Sequence, residues 1–262
     1  MNQPKPQADF SYLNNFLARV GKKRVNDEEF QRTKLNKIIS RIAVDDWFQA
    51  QLGRANIEIY FNNNETGIEI LEDLLKKTDY ESIMAWDMLI DVYMQIGDLD
   101  KILSTFIRTS DTGLEPTKHQ KKLLLHAIGV YLMKNLVESI DNPSMQIIES
   151  KNIIISNIKQ LERLNISLDV YRKFISKIYS IFYANFNGTV QPVLSFNDYE
   201  LVIRVNSTVN NAEDLFELNN KFKDEVLNWY ETSNSSEQEQ IEKITVYFKH
   251  KVFQSEGEEA VV

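Results

Sequence analysis

The chain has 262 residues, of which 43% are hydrophobic and 26% are charged, and this composition is typical of a folded protein rather than a disordered one. It has no cysteine, so thiol catalysis, disulfide bonds and cysteine-based zinc sites are excluded. Its 8 glycines and 5 prolines are too few for the many tight turns of an all-β fold. The composition therefore favours helices.

The net charge of −8 is distributed in blocks along the chain. Residues 57–116 carry 4 Lys and Arg against 13 Asp and Glu, whereas residues 117–178 carry 10 against 5. Residues 1–42 are also basic, and residues 197–262 are acidic. In an elongated stack of helices, such blocks become separate patches that suit partners of opposite charge.

Residues 1–25 are predicted to form an N-terminal arm and a basic helix. The cluster Lys22, Lys23 and Arg24 is either a candidate nucleic-acid contact or a solvated helix face. The first residues lack the apolar core of a secretory signal, and no apolar run reaches the roughly 18 residues of a membrane span. We therefore expect an intracellular, cytoplasmic protein with no membrane partner.

The stretch MAWDMLIDVYMQIGDLDKILSTFIRTSDTGLEPT, residues 84–117, predicts a helical hairpin. Gly97 suits the end of a first helix and Asp98 suits the start of a second, while Gly113 and Pro116 mark the next turn. Apolar residues recur at helical spacing in both halves: Trp86, Leu89, Ile90 and Tyr93, then Leu99, Ile102, Leu103 and Phe106.

Partial copies of this unit occur elsewhere in the chain, as expected if hairpins stack to bury their apolar faces. Thr66–Leu75 matches the second helix, and Leu161–Tyr171 repeats the turn with Asn165 in place of the helix-ending glycine. The longer spacing before the latter copy implies an insertion around residues 139–152. A shortened copy is predicted at Asp198–Phe222, where NNAEDLF is typical of a helix start.

The 84–117 unit resembles a pentatricopeptide repeat, whose pattern runs aromatic, Leu-Ile, Tyr, Gly-x-Leu-Asp, Phe and Gly-Leu-x-Pro. The matching residues are Trp86, Leu89–Ile90, Tyr93, Gly97–Asp100, Phe106 and Gly113–Pro116. Single repeats of this kind are also similar to tetratricopeptide repeats, which bind proteins rather than RNA. With its partial copies, the resemblance covers about a third of the chain and implies an all-α, right-handed superhelix of stacked helical hairpins.

We predict a helical-repeat domain over residues 26–232, a C-terminal capping helix over 233–252 and an acidic disordered tail over 253–262. Within the repeat domain, residues 188–208 are ambiguous. Dense β-branched residues favour a β-hairpin turned at Asn197-Asp198, whereas Asn197 with Glu200 three residues later is a plausible helix start. The helical neighbours favour the helix.

In pentatricopeptide proteins one base is read by a few side chains per repeat. The resemblance implies a groove lined by Asp87, Lys121 and Lys173 on first helices, and by Thr117 and Asp169 after the turns. Asp91 lies one turn beyond Asp87, so this acidic pair disfavours a phosphate backbone or forms a solvated helix face. Lys118 and Lys122 are candidate phosphate contacts.

Patterns that carry catalysis are missing from the sequence. It has no HExxH motif and no glycine-rich phosphate loop, and no local pattern singles out an acid and base pair. The aromatic residues Trp47, Phe48, Trp86 and Trp229 are predicted to lie in the core. YRKFISKIYSIFY, residues 171–183, is predicted to be an amphipathic helix with Phe174, Ile178 and Phe182 inside.

These observations predict a non-enzymatic scaffold or adaptor, without cofactor or metal, that binds a protein or peptide in its concave groove. The alternative is a single-stranded RNA-binding protein that uses the basic block 117–178, with Lys121 and Lys173 in the groove.

Overall fold

The structure, a computed structural model, describes residues 6–17, 28–138 and 145–251. These residues form twelve helices and three strands. The chain divides into two compact units, whose described parts are residues 6–17 and 28–133 in unit 1 and residues 134–138 and 145–251 in unit 2. The boundary between the units lies inside the predicted repeat domain, 26–232.

Unit 1 is entirely helical in its described residues. Its helices are α1 (Pro6–Leu17), α2 (Glu28–Asp45), α3 (Trp47–Tyr60), α4 (Asn64–Lys77), α5 (Ile83–Ile96), α6 (Leu99–Asp111) and α7 (Lys118–Val130). Each helix from α1 to α5 packs against the next, and alternate helices also meet where α1 contacts α3 and α5 contacts α7. This is the packing pattern of successive helical hairpins.

The helix ends of unit 1 follow the local signals in the sequence. Gly97 has a φ of 73° at the end of α5, and Asp98 accepts a hydrogen bond from the Lys101 amide at the start of α6. Both predictions are confirmed. Gly113 is also left-handed, with a φ of 76°, and Thr117 begins α7 in a capping box with Gln120.

Close contact between helices explains the glycine at position 67. When Thr66–Leu75 is aligned with the second helix of the 84–117 sequence, Gly67 falls where that helix has a large residue. A Cβ atom at Gly67 would lie 3.1 Å from the carbonyl oxygen of Ala55 and 2.6 Å from Cγ1 of Ile59. Helix α4 therefore approaches the backbone of α3 more closely than a side chain would allow. The core at the start of unit 1 consists of Leu13, Phe16, Leu17, Leu35, Ile38, Ile39, Ile42, Ala50, Ile57, Tyr60 and Phe61.

Unit 2 combines helices with a small sheet. Its elements are α8 (Lys134–Glu138), α9 (Met145–Arg163), α10 (Leu168–Asn185), β1 (Val190–Phe196), β2 (Leu201–Ser207), α11 (Ala212–Thr232), α12 (Ser235–Ile241) and β3 (Ile244–His250). The sheet order is β1-β2-β3, with β1 antiparallel to β2 and β2 parallel to β3. The parallel connection runs through α11 and α12, as a crossover requires.

The central strand provides the apolar face of the sheet. Leu201, Ile203 and Val205 alternate along β2 and are fully buried. Helix α10 contacts β1, and α11 contacts both α10 and β3, so the two helices cover this face. The predicted core positions of α10 are confirmed, since Phe174, Ile178 and Phe182 are all buried.

Residues 188–208 form a β-hairpin, so the helix prediction for this segment is wrong. The described residues are mostly helical, as predicted, but the three strands mean that the fold is not all-α. Asn197 does act as a cap, but its Oδ1 accepts hydrogen bonds from the amides of Tyr199 and Glu200 within a tight turn between strands. An asparagine side chain stabilises a turn as readily as a helix start. The predicted repeat at 198–222 fails for the same reason, and only its helix start at Asn211, which caps α11, is confirmed.

The predicted capping helix over 233–252 is also wrong beyond Ile241. Residues 244–250 form β3, which aligns with β2 from Leu201–Ile244 to Ser207–His250. The sequence ITVYFKH alternates apolar and polar residues, which suits a half-buried strand. The predicted tail, 253–262, and the basic cluster at Lys22, Lys23 and Arg24 lie outside the described residues.

Candidate functional site

Helices α5 and α7 bring three of the predicted groove residues together. Thr117 Oγ1 donates a hydrogen bond to Asp87 Oδ1 at 3.2 Å. His119, two residues after Thr117, places its Nε2 3.1 Å from each carboxylate oxygen of Asp91, which lies one turn after Asp87. The acidic pair therefore holds the first turn of α7 against α5.

The contact between His119 and Asp91 was missed in the sequence because it joins residues 28 positions apart. The spacing of the histidines gave no sign of a carboxylate partner. Burial raises the pKa of Asp91 above its ordinary value, although part of its side chain reaches solvent. The charge and hydrogen bond of His119 oppose that rise, and the nearby charge of Asp87 adds to it.

Helix α5 presents a continuous row of side chains on the face that bears Asp87 and Asp91. Met84 and Met88 alternate with the two carboxylates at helical spacing, and Met84 is exposed while Met88 is half-buried. Flexible thioether side chains adapt to differently shaped apolar partners. The row thus combines flexible apolar side chains with negatively charged ones.

Helix α7, which packs against α5, also carries three lysines. Lys118, Lys121 and Lys122 are exposed. Burial lowers the pKa of His126 on the same helix, and the charge of Lys122 lowers it further. Because they are exposed, Lys118, Lys121 and Lys122 are the described cations best able to contact RNA phosphates.

Lys173 and Asp169, the other predicted groove residues, lie on α10 in unit 2. Lys173 Nζ donates to Glu237 Oε1 at 2.7 Å, and Trp229 Nε1 donates to the same oxygen at 3.1 Å. The Lys173 ammonium also lies 5.5 Å from the centre of the Trp229 ring. The hydrogen bond from Lys173 lowers the pKa of Glu237. Lys173 therefore has partners inside unit 2, while Asp169 is exposed in the first turn of α10.

Two further cations of the basic block pair with acids in unit 2. Lys177 Nζ lies 3.3 Å from Glu225 Oε2, and Arg163 Nη1 lies 3.0 Å from Asp198 Oδ1. The acidic partners come from α11 and from the hairpin turn, far along the sequence. A block that is basic in sequence is thus partly neutralised in the fold.

An open cleft of about 460 Å³ lies between α10 and α11. Lys177, Lys221, Asp224 and Glu225 contribute charges of both signs to its lining. Lys221 Nζ already donates to Asn185 Oδ1 at 2.6 Å. This mixture of paired charges does not select a ligand of one chemical class.

The tryptophans differ in how completely they are buried. Trp86 is buried as predicted, and its indole Nε1 donates to the Tyr80 carbonyl at 2.9 Å. Arg108 lies 5.0 Å above its ring and donates two hydrogen bonds of 2.7 Å to Glu72. Trp47 is exposed, so its assignment to the core is wrong.

Within the described ranges, no group of three or more His, Asp or Glu side chains is arranged to hold a metal ion. In the same ranges, no helix is both long enough and apolar enough to cross a membrane.

No family model, curated protein or solved structure matches this chain. The relationship to pentatricopeptide or tetratricopeptide repeats therefore stays a prediction based on the residues of the 84–117 unit.

Proposed function

We propose that the protein is a non-enzymatic helical-repeat scaffold or adaptor, of the pentatricopeptide or tetratricopeptide type, that binds a partner protein or peptide through unit 1. The observation that carries this proposal is the row on α5, where Met84 and Met88 alternate with Asp87 and Asp91. In a right-handed superhelix of hairpins, this face lines the concave groove. Half-exposed methionines with carboxylates between them suit a peptide that has apolar and basic side chains.

The charge of the same face argues for a peptide rather than RNA. A phosphate backbone in the groove would approach Asp87 and Asp91 and would be repelled. Lys173, which the RNA alternative needs in the groove, is held by Glu237 and Trp229. The exposed lysines of α7 are what supports the RNA alternative.

A displayed library of random peptides, selected against the purified protein, tests the proposal without a known partner. We expect selected peptides to be rich in Lys, Arg and apolar residues, and to lose affinity for the variant Asp87→Asn plus Asp91→Asn. Asparagine keeps hydrogen-bond acceptors for Thr117 and His119, so the change removes charge more than structure. The expected loss is about 1 to 3 kcal/mol if the pair is desolvated on binding.

Asp100→Asn plus Asp111→Asn is the matched control, because both residues are exposed on α6 and the change of charge is equal. If no peptide is selected, or if both double variants behave as the wild type does, the groove proposal fails.

RNA binding is tested by titrating labelled single-stranded RNA at about 50 and 200 mM salt, where phosphate contacts show a steep dependence. We expect no binding tighter than micromolar. Tight binding that weakens with salt and is lost in Lys121→Glu plus Lys173→Glu would establish the RNA alternative instead.

A further inference from the structure

One end of unit 1 exposes large apolar side chains in two neighbouring turns. The first turn, residues 44–47, joins α2 to α3, and the second, residues 78–84, joins α4 to α5. We call the following five residues the apolar end, with their exposed fractions: Val44 83%, Trp47 45%, Tyr80 38%, Ile83 42% and Met84 49%. Single exposed apolar residues are common, but a group of this size at one place marks a contact surface.

Two contacts show that the turns are adjacent. Lys77 Nζ, at the end of α4, lies 5.5 Å from the centre of the Trp47 ring at the start of α3. Gln49 Nε2 of α3 lies 3.9 Å from Met84 Sδ of α5. The starts of α3 and α5 therefore lie side by side, and the apolar end is one continuous region of unit 1.

The second turn has a well-defined backbone. Asp79 and Tyr80 are both left-handed, with φ values of 49° and 64°. The Tyr80 amide donates to the Leu75 carbonyl at 2.7 Å, and its own carbonyl accepts from Trp86 Nε1. The Tyr80 ring also stacks on Trp86. These contacts hold Tyr80 at the surface, so little ordering is needed when a partner binds.

The charges of the two turns have one sign. Residues 44–47 and 78–84 contain four exposed acids and no Lys or Arg: Asp45, Asp46, Asp79 and Glu81. Lys77, whose ammonium lies over the Trp47 ring, is paired with Asp73 at 2.7 Å. An apolar surface rimmed by carboxylates is complementary to an apolar surface rimmed by cations. The same charges repel phosphate groups of nucleic acids and of anionic lipids.

We propose that the apolar end is the docking surface for a basic amphipathic helix of a partner protein. The apolar face of that helix would cover Trp47, Ile83 and Met84, and its Lys or Arg residues would face the acidic rim. A second copy of this chain is a poorer occupant, because a two-fold contact would bring the four acids of one copy against those of the other. This inference rests on the proposed scaffold function and names the chemistry of its partner.

A pair of designed helical peptides tests the proposal by fluorescence polarisation. Each has about 18 residues, or five turns, with Leu on one face and either Lys or Glu on the other. We expect the Leu/Lys peptide to bind at micromolar concentrations or below and the Leu/Glu peptide not to bind. Equal binding of both peptides, or binding of neither, would overturn the proposed partner chemistry.

Two variants locate the contact. Trp47→Ser plus Ile83→Ser, which leaves the α5 row unchanged, should weaken binding of the Leu/Lys peptide about tenfold or more, as loss of buried anchors does. Ile107→Ser is the matched control, since Ile107 is an exposed apolar residue on α6. Val44→Ser plus Ile83→Ser serves in its place if the first variant melts at a lower temperature, because Val44 is the most exposed of the five residues.

Charge reversal separates the acidic rim from the overall charge. Asp45→Lys plus Glu81→Lys should weaken binding several-fold, whereas Asp100→Lys plus Asp111→Lys, which changes the net charge equally, should not. Equal effects of these pairs would show that the peptide responds only to the net charge of −8 and would overturn the proposal.

Failure of the proposed docking surface would give different results from failure of the proposed scaffold function. If library-selected peptides lose affinity in the Asp87 and Asp91 variant but not in the apolar-end variants, the groove binds and the apolar end does not. If sedimentation shows a dimer that Trp47→Ser plus Ile83→Ser dissociates, the occupant is a second copy, and the proposed heterologous helix is wrong.

Discussion

Contacts in unit 1 mostly join elements that are neighbours in the sequence, whereas unit 2 also depends on contacts between distant elements. In unit 1, each helix from α1 to α5 packs against the next helix along the chain. In unit 2, β2 aligns with β3 from Leu201–Ile244 to Ser207–His250, so the central strand pairs across two intervening helices. Most helix contacts in unit 1 join neighbours along the chain, so its elements are easier to recognise from sequence periodicity than the sheet of unit 2 is.

Each unit also contains a cation, a carboxylate and a tryptophan in contact, and the two clusters differ in burial. In unit 1, Arg108 joins Glu72 through two hydrogen bonds and lies over the buried Trp86. In unit 2, Lys173 joins Glu237 beside Trp229, and Lys173 is largely exposed. The same three kinds of side chain should therefore contribute more to stability in unit 1.

The largest expected effect is that of Trp86→Ala, which should reduce the free energy of unfolding by about 3 to 5 kcal/mol, as loss of a fully buried aromatic side chain does. Trp229→Ala should cost clearly less, because Trp229 is only half-buried. Urea denaturation of both variants measures the difference. Equal losses would contradict the contrast between the clusters.

Gly67→Ala tests the close helix packing of unit 1. The added methyl would meet the backbone oxygen of Ala55, which cannot rotate away, so we expect a loss of about 1 to 3 kcal/mol in the free energy of unfolding. Gly53→Ala is the matched control, because its methyl would meet the flexible end of the Ile39 side chain. A thermal melt that shows equal shifts for both variants would argue against the close approach of α3 and α4.

Glu72→Gln should remove about 1 kcal/mol of stability at neutral pH, since the ion pair with Arg108 is partly exposed. The hydrogen bond from Arg108 lowers the pKa of Glu72 below its ordinary value of 4.5. A lowered pKa gives stability that is present above pH 4.5 and is lost as the pH falls through the folded-state value. The gap between the wild type and the variant in urea midpoints should therefore close in acid. A gap that is constant with pH would show that packing, not charge, is responsible.

The smallest expected effect belongs to the ion pair of Lys173 and Glu237. Because Lys173 is largely exposed, we expect a coupling energy of about 0.2 to 1 kcal/mol between the two side chains. A double-mutant cycle of Lys173→Ala and Glu237→Ala, measured by denaturation with and without added salt, provides this value. A coupling as large as that of Glu72 and Arg108, measured in the same way, would remove the distinction between the units.

Local chemistry made several helix boundaries predictable. Gly97, Asp98 and Asn165 each act within one helical turn of their own position, and each adopts the conformation expected of it. Asn197 shows the limit of this reasoning. Its side chain caps nearby amides in a helix start and in a hairpin turn alike, so the residue alone could not decide between them.

The candidate site was predictable only in part. The face of α5 that bears Asp87 and Asp91 follows from helical periodicity, and the proximity of Thr117 followed from the resemblance to a repeat. The partners His119 and Glu237 could not be predicted, because they are brought to Asp91 and Lys173 by packing between helices. The exposure of Trp47 also depends on packing, since it reflects which neighbours cover the ring.

The sequence by itself determined the helical hairpin at residues 84–117, its caps, the unevenly distributed charge and the absence of cysteine chemistry, because each depends on composition or on interactions within a few residues. The tertiary structure alone decided that 190–196, 201–207 and 244–250 form one sheet and that cations of the basic block pair with distant acids. Strand pairing and ion pairing join residues that are far apart in sequence, and their free energy is gained only when the whole unit folds.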